Sequence, residues 1–243
     1  VKGHPYQVRE IEFYLHQPGH LDPFTHGHSR QQTAGQWYFH RIGTGFRSGT
    51  YKGLDLTIGG THAHGGILLR SLEKSDGTLI EGPSRVVDWL LEQTDISGVA
   101  DLASRAEKLP ADDPGNTLRF TFTDPCPGGE MLATARVGLA PKKVGDQNEM
   151  LRFLLKPYRF LSEAARTRKG RPQIVLALLL RGWSPEAIDA RLGTPLRVIR
   201  NYLEAMKRGS ANYQLQPLPG RPPTGIILAE WFGWASANCP VPQ

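Results

Sequence analysis

The sequence predicts an α+β domain followed by a small helical module. Before about Glu163, several short segments alternate apolar and polar residues with the period of a β-strand, and few helical patterns interrupt them. Such a mixture is typical of the α+β class. After Glu163, a basic stretch leads into three helical segments separated by glycine and proline. We therefore expect a domain over 1–163, a basic helix-turn-helix-like module over 164–209 and a tail over 210–243 that contains Pro, Gly and Trp.

The first predicted strand, Gln7–Leu15, carries two acids and an aromatic residue on one face. Glu10, Glu12 and Tyr14 alternate with apolar residues. We expect the apolar set to face a core and the other three side chains to face a cleft. An alternative is a solvated strand face, and for Glu10 that alternative is the better interpretation.

The same patterns predict the other elements of this domain. Gly82-Pro83-Ser84 starts a helix, with Ser84 near its cap. The mostly polar run Ala103–Pro114 predicts a surface segment, and an apolar segment, Leu151–Leu154, closes this half. Further strands are predicted over Trp37–His40, Tyr51–Ile58, Ile67–Leu72, Leu118–Phe122 and Thr134–Leu139.

The second half has the layout of a helix-turn-helix. Ser184 is a good N-cap, and Gly193-Thr194-Pro195 ends one helix and begins the next. The predicted helices are Gln173–Arg181, Ser184–Leu192 and Leu196–Arg208.

Basic and amide side chains of this module are suited to DNA. On the third helix Arg197, Arg200 and Asn201 are residue types that contact phosphates and base edges. The alternative is an ordinary amphipathic helix, and the two interpretations are compatible. Cations of the preceding basic linker are further candidates for phosphate contact: Arg168, Lys169 and Arg171.

Charge and composition indicate the class of binding partner and the cellular environment of the protein. The net charge of +6 and pI of about 9.4 favour a polyanionic partner, although a solvated basic surface is an equal alternative. Two cysteines, Cys126 and Cys239, form neither a metal knuckle nor a disulfide framework, so we expect a reduced, intracellular protein. No apolar run approaches the roughly 18 residues of a membrane span. The first residues lack both Met and a signal peptide, so we expect a processed or missing native N-terminus.

Six short blocks in the first half, in the same order, resemble the alkyladenine (3-methylpurine) DNA glycosylase family. They extend over about Gln7–Leu154, and the helical module and the tail lie outside the resemblance. The blocks are Glu10–Leu15, Asp22–His26, Leu68–Glu73, Gly82–Ser84, Ala135–Leu139 and Leu151–Phe153.

The resemblance implies a curved antiparallel β-sheet with surrounding helices, and a reaction without metal or cofactor. It implies that Glu12 deprotonates a water molecule. Arg70 and the backbone carbonyl of Val137 would hold that water. Tyr14 and His26 would sandwich the flipped base.

Other base-pocket and DNA-wedging residues are carried over by position. Tyr38 or His40 takes the place of the family's second pocket tyrosine, and Asp55 stands where the family has an asparagine that screens bases. Phe46 and Tyr51 are candidates for the side chain that wedges into the duplex. These departures predict a more polar pocket than the family's.

Together these observations predict a monofunctional DNA glycosylase of base-excision repair. A carboxylate can activate the water and stabilise an oxocarbenium-like transition state. The expected partner is double-stranded DNA with a modified base, and we expect a monomer in the cytoplasm, or in the nucleus of a eukaryote. Alternatives are a glycosylase for a bulky hypermodified base of foreign DNA and a non-catalytic DNA-binding protein with the same fold. A glycine turn with His62 and His64 lacks carboxylate or cysteine at ligand spacing, so no metal site is expected.

Overall fold

The computed structural model describes residues 4–123, 130–141, 146–212, 214 and 220–238. These residues form a mixed α+β protein with an antiparallel sheet and seven α-helices. The chain divides into two compact units, 1–131 and 132–243. Both predicted domain limits, after Glu163 and after Gly209, fall inside the second unit. Cys126 and Cys239 lie outside the described residues.

The first unit is built on an antiparallel sheet. Four strands are neighbours in the order β3, β6, β7, β1, while β2 pairs with β1 and β8 with β7. A separate hairpin is formed by β4 and β5. The strands are β1 (Gln7–Gln17), β2 (His20–Leu21), β3 (Trp37–Phe39), β4 (Arg41–Ile42), β5 (Gly45–Phe46), β6 (Leu54–Thr57), β7 (His64–Glu73) and β8 (Leu79–Glu81).

One face of this sheet packs against two helices, α1 (Pro83–Thr94) and α2 (Val99–Ala106). Buried sheet residues such as Phe39 and Leu69 share a core with Val86 and Val87 of α1. Side chains alternate between the faces of a strand, so their neighbours Tyr38 and Leu68 lie on the opposite face.

The prediction of a polar surface segment over Ala103–Pro114 is wrong. Its first residues belong to α2, and Ala103, Ala106 and Ala111 are buried. Small apolar residues at a spacing of three let this helix pack closely. The many charged residues around them make this helical pattern hard to recognise in the sequence.

Three further predictions in this unit need correction. The segment Leu118–Phe122 is irregular rather than a strand, although Leu118 is buried. The strand predicted over Tyr51–Ile58 is shorter, because Tyr51 ends a 3-10 turn. Ser84 does not cap α1, and its hydroxyl donates to the carbonyl of Gly49.

The second unit contains a two-strand pair and five helices in its described residues. Strand β9 (Leu132–Thr134) pairs antiparallel with β10 (Arg159–Leu161). The helices are α3 (Gln147–Leu155), α4 (Arg171–Leu180), α5 (Pro185–Leu192), α6 (Leu196–Ala211) and α7 (Gly225–Asn238). The segment Leu151–Leu154 lies in α3, and only Thr134 of the predicted strand Thr134–Leu139 belongs to β9.

The three predicted helices of the module are confirmed as α4, α5 and α6. The Ser184 hydroxyl accepts a hydrogen bond from the Ala187 amide, as expected of an N-cap. Gly193 ends α5 in the left-handed region, with φ of +61°, which glycine adopts without a steric penalty.

The last described part of the tail is helix α7, which packs along α6. Gly209 and Gly233 bring the two backbones together, since a Cβ at either position would collide with a backbone carbonyl of the other helix. Residues 225–238 of the predicted tail therefore pack back on the protein. Among the described residues, no helix has the length and apolarity needed to cross a membrane.

Candidate functional site

Four predicted or neighbouring site residues form one row on the face of the first unit's sheet that lies opposite α1 and α2. Tyr38 pairs with Asp55, Asp55 with Leu68, and Leu68 with Glu12. Directly paired residues project from the same face. With about 4.8 Å between neighbouring strands, the backbones of Asp55 and Glu12 lie about 10 Å apart. The sheet register thus places two acidic centres side by side on one surface.

The first centre is an ion-pair cluster around Arg70. The guanidinium Nη1 lies 3.3 Å from Oε1 of Glu12, and Nε donates to Oε1 of Glu10 at 2.8 Å. The Tyr14 hydroxyl donates to the other oxygen of Glu12 at 2.8 Å. Glu12 is 0% exposed, Glu10 1% and Arg70 5%. The interpretation of Glu10 as part of a solvated strand face is therefore wrong.

Arg70 lies at a β-bulge of β7. Glu10 pairs with Ser71 and Ile11 pairs with Leu69, so Arg70 is the extra residue of β7. Regular alternation already places Arg70 on the face of Leu68 and Glu12, and the bulge leaves it without a directly paired residue on β1. Bulges need no special residue type, so the sequence carries no direct signal of this one.

Charge balance keeps Arg70 protonated. Burial alone would lower the pKa of the guanidinium, but Glu12 and then Glu10 raise its pKa above the usual range. Glu12 thus lies beside a permanent cation. Removal of one member would leave buried charge uncompensated, which typically costs about 3–5 kcal/mol.

The second centre joins a histidine to a buried carboxylate. Nε2 of His40 lies 2.7 Å from Oδ1 of Asp55, and the amide of Gln31 donates to Oδ2 at 3.3 Å. Asp55 and Gln31 are buried. Gly53 and Gly66 make room for the pair, because a Cβ at Gly53 would collide with the His40 ring and one at Gly66 would lie 2.6 Å from Oδ2 of Asp55.

Aromatic and imidazole rings surround this pair. His26 packs edge-on against His40, with ring centroids 4.2 Å apart, and lies 6.0 Å from the Tyr38 ring. The ring of His28 lies 5.2 Å from that of Tyr38. The structure thus brings together the predicted base-binding residues His26, Tyr38, His40 and Asp55.

The surroundings shift the pKa values of two of these groups in opposite directions. Desolvation, and then the proximity of His40, lower the pKa of His26 to about 4. Burial, and then the carboxylate of Asp55, raise the pKa of Tyr38 to about 12. At neutral pH His26 is uncharged and Tyr38 keeps its hydroxyl proton.

Local hydrogen bonds position the segment that carries His26. The buried carboxylate of Asp22 accepts from the Phe24 amide at 3.1 Å, which forms an Asx turn. His28 then caps a 3-10 turn through Nδ1, and Gln31 of that turn reaches Asp55. The predicted Asp22–His26 turn therefore lies against the histidine–aspartate pair.

Of the two residues considered for wedging into DNA, Phe46 lies on the β4–β5 hairpin and Tyr51 lies in the 3-10 turn that follows it. Arg41 is fixed to Glu107 at 2.6 Å, and its guanidinium lies over the rings of Phe46, at 4.3 Å, and Tyr38, at 5.5 Å. The Phe46 ring is therefore packed against Arg41. Tyr51 is 72% exposed, and Ile42 at the hairpin turn is 68% exposed.

The predicted residues of the second unit lie on several elements. Val137 follows β9 in an irregular segment. The Arg171 guanidinium donates to the carbonyls of Ala164 and Ala165, so its donors are engaged by backbone. Arg168 and Lys169 are exposed.

On α6 the three predicted DNA-contacting residues share the exposed surface. Arg197 and Asn201 are exposed, and Arg200 forms an exposed ion pair with Glu186 at 3.1 Å. Ile199 is buried and anchors the helix. The amphipathic interpretation of α6 is therefore confirmed, and an exposed basic surface accompanies it.

Sequence reasoning missed three residues of the site. Gln31 and Glu107 lie outside every quoted motif, and the better interpretation of Glu10 was a solvated strand face. Alternation with Glu12 could have placed Glu10 beside it, whereas the other two depend on contacts between distant segments. In the described part of the chain, no group of three or more His, Cys, Asp or Glu residues is arranged to hold a metal ion.

The sequence matches no known family profile. It is similar to an uncharacterized protein of Acanthamoeba polyphaga mimivirus, with 32% identity over 157 residues. The aligned region covers 58% of this chain and 72% of the viral protein. The chain therefore belongs to the same protein family as that viral protein.

Proposed function

We propose that this protein is a monofunctional DNA glycosylase. It flips a modified base from the duplex and hydrolyses its N-glycosidic bond with a water molecule activated by Glu12, leaving an abasic site. The observation that supports the proposal best is the buried Glu12–Arg70 pair on the same sheet face as the Tyr38–Asp55 pair. The resemblance of its sequence motifs to those of the alkyladenine glycosylase family supports the same assignment.

The Glu12 cluster has the chemical properties that hydrolysis needs. Glu12 takes a proton from water, and its charge opposes the positive charge that develops on the sugar. Arg70 contacts Oε1 of Glu12 and orients the carboxylate. Each ~1.4 kcal/mol gained in the transition state is worth a factor of ten in rate.

Water reaches Glu12 only after a local rearrangement. Glu12 has no exposed surface, and the Tyr14 hydroxyl covers Oε2. In the proposed reaction, entry of the flipped base moves Tyr14 from hydrogen bonding to stacking. That movement gives the nucleophilic water a place on Oε2.

The histidine and tyrosine rings form the proposed base-binding surface. Flipping costs a few kcal/mol, which stacking at about 1–3 kcal/mol per base offsets. His26 and Tyr38 provide ring surfaces, and the His40–Asp55 pair provides polar ones. This polarity supports the alternative substrate, which is a bulky hypermodified base of foreign DNA.

The helical module supplies additional DNA affinity in this proposal. Helices α5 and α6, joined at Gly193, have the order of a helix-turn-helix, and α6 exposes Arg197 and Asn201. Lys169 and Arg168 add positive charge nearby in sequence. Contacts with phosphates would give the strong salt dependence typical of such modules.

A non-catalytic DNA-binding protein is the second candidate function. The favouring observation is that Oε1 of Glu12 contacts Arg70 while Oε2 accepts from Tyr14. A carboxylate saturated in this way also suits a purely structural ion pair. The two candidates differ in whether base release depends on Glu12.

Duplex oligonucleotides with alkylated, deaminated and bulky glycosylated bases test the proposal. The wild-type protein should create alkali-labile abasic sites in at least one duplex. Glu12→Gln should lower the single-turnover rate by about 10²-fold or more. The matched control, Glu92→Gln, changes an exposed glutamate of α1 and should leave the rate unchanged. Equal rates for wild type and Glu12→Gln, with the fold intact by circular dichroism, would assign the reaction elsewhere.

A further inference from the structure

We propose that Arg47 binds an oxyanion of the flipped nucleotide beside His26. This inference rests on the proposed function and adds to it a binding residue that lies outside all six blocks of the resemblance. The oxyanion is either a backbone phosphate next to the flipped nucleotide or an acidic substituent on its base. Both present the same chemistry to a guanidinium, and neutral analogues of each distinguish them.

The β4–β5 hairpin carries Arg47 to the proposed base-binding surface. Arg47 directly follows β5, and its backbone amide donates to the carbonyl of His40 at 2.9 Å. The ring of His40 packs edge-on against that of His26, with centroids 4.2 Å apart. The pKa of His26 is lowered by desolvation, then by His40, and further by the charge of Arg47, so the guanidinium lies close to that ring. Backbone and side chain thus both place Arg47 next to the ring that is proposed to stack on the base.

The guanidinium of Arg47 has no protein partner in the part of the chain that the structure describes. Its Nε atom is buried and makes no hydrogen bond, and no carboxylate forms an ion pair with it. The side chain as a whole is half-buried. Burial of a charged donor without an acceptor is costly, and such groups are normally paired. A bound anion would supply the missing acceptor.

Two buried acids of this region are already engaged by other groups. Asp55 contacts His40 at 2.7 Å. Glu107 pairs with Arg41 at 2.6 Å. Neither carboxylate is therefore left to neutralise Arg47, and its positive charge can attract an anion from outside the protein.

A second donor without a partner lies on the segment that carries His26. Thr25, the residue before His26, has a buried hydroxyl that makes no hydrogen bond within the described structure. The Asx turn at Asp22 fixes this segment. A guanidinium donates in a planar fork that matches the oxygens of a phosphate or carboxylate, and a hydroxyl can add a further hydrogen bond. Two unsatisfied donor groups next to His26 therefore favour an oxyanion over a neutral ligand.

The position of His26 lets a nucleotide reach Arg47. His26 is exposed, so a flipped base can stack on its ring. A phosphate is separated from its base by a single sugar, and a substituent on the base is closer still. Either oxyanion therefore comes within reach of a side chain as long as that of arginine.

Binding to an abasic duplex tests the phosphate as the source of the anion. A tetrahydrofuran nucleotide has no base to release, so fluorescence anisotropy measures binding without hydrolysis. Arg47→Gln should weaken binding by about tenfold or more, which corresponds to one hydrogen bond between charged groups. A neutral methylphosphonate in place of the contacted phosphate should weaken binding by wild type by a similar factor and binding by Arg47→Gln hardly at all.

A pair of bases with and without an acid tests the other source. The bases 5-carboxycytosine and 5-formylcytosine differ by a carboxylate at the same ring position. If the base supplies the oxyanion, wild type should bind the duplex with the carboxylated base about tenfold more tightly, and Arg47→Gln should lose this preference. The control Arg85→Gln removes an exposed cation of α1 and should change neither the methylphosphonate effect nor the preference for the carboxylate.

The outcomes separate the anion site from the proposed function. Circular dichroism checks that Arg47→Gln keeps the fold, as expected for a side chain without a partner among the described residues. Unchanged binding by Arg47→Gln in every duplex, or an equal loss in charged and neutralised duplexes, would overturn the site, because the lost contact would not be one with an anion. Release of no base from any duplex by wild type, with the Arg47 effects intact, would overturn the glycosylase assignment and leave the anion site standing. Wild-type binding of the abasic duplex no tighter than that of an undamaged one would overturn both.

Discussion

Arg70 and Glu12 form a contact of 3.3 Å on a sheet face where neither side chain is open to solvent. The same guanidinium binds Glu10, so one cation serves two carboxylates. A pair of this kind is sensitive to the loss of either member, because the remaining charge stays buried. The proposed chemistry and the stability of the first unit therefore involve the same residues.

Replacement of Arg70 by Gln should destabilise the fold strongly. Two buried carboxylates would lose their cation, and we expect a loss of about 3–5 kcal/mol in the free energy of unfolding. Urea denaturation followed by circular dichroism measures it. The control Arg85→Gln removes an exposed arginine of α1 and should change stability little. A stability of Arg70→Gln close to wild type would show that the cluster does not depend on this cation.

Replacement of Tyr14 by Phe should separate its hydroxyl from its ring. The variant loses the hydrogen bond to Oε2 of Glu12 but keeps the stacking surface. A hydrogen bond to a charged group contributes about 1.5–3 kcal/mol, so we expect a moderate loss of stability. Base release should stay much faster than in Glu12→Gln. A rate as low as that of Glu12→Gln would place the Tyr14 hydroxyl in the chemistry itself.

Replacement of Gly66 by Ala should disturb the His40–Asp55 pair. The new Cβ would lie 2.6 Å from Oδ2 of Asp55, so the carboxylate must shift and its contact with Gln31 must change. We expect slower base release and a lower melting temperature. Gly60→Ala meets open space and is the control. Unchanged rates in Gly66→Ala would show that the position of Asp55 does not matter.

Acidification should reveal the lowered pKa of His26. Its pKa is lowered to about 4 by desolvation first and by His40 second, so between the unfolded value near 6.5 and pH 4 the unfolded chain binds more protons. Stability that is present above pH 6.5 is therefore lost as the pH falls through this window. His26→Gln lacks this loss, so its melting temperature relative to wild type should rise on acidification. A constant difference from pH 7 to pH 4 would contradict this assignment.

The exposed surface of α6 should contribute phosphate contacts. Replacing Arg197 by Ala should weaken duplex binding and reduce the slope of log affinity against log salt by about one. Fluorescence anisotropy at several salt concentrations measures both. Glu204→Ala changes an exposed acid of the same helix, and it should not weaken binding. An unchanged slope for Arg197→Ala would place the DNA on another surface.

Local patterns predicted those elements whose signals lie within a few residues of each other. The alternation in β1, the Ser184 cap and the Gly193 turn could each be predicted in this way. Helix α3 was missed because Leu151–Leu154 is too short an apolar run to distinguish a strand from a helix.

Contacts between distant segments could not be predicted from the sequence. The resemblance singled out Glu12, Arg70, His40 and Asp55 separately, but their pairing depends on strand register. Register is set by the packing of whole strands, and one residue of slip would send each side chain to the other face. The hydrogen bonds from Gln31 and His40 to Asp55 also depend on how distant segments pack together.

Mass spectrometry of bases released from several genomic DNAs tests the central claim most directly. The wild-type protein should release a free modified base and leave an abasic site for each molecule of base released. Glu12→Gln, with the same circular dichroism spectrum, should release none above background. Identical release by the two proteins, or no release by wild type from any DNA, would contradict an account in which the carboxylate beside Arg70 activates water.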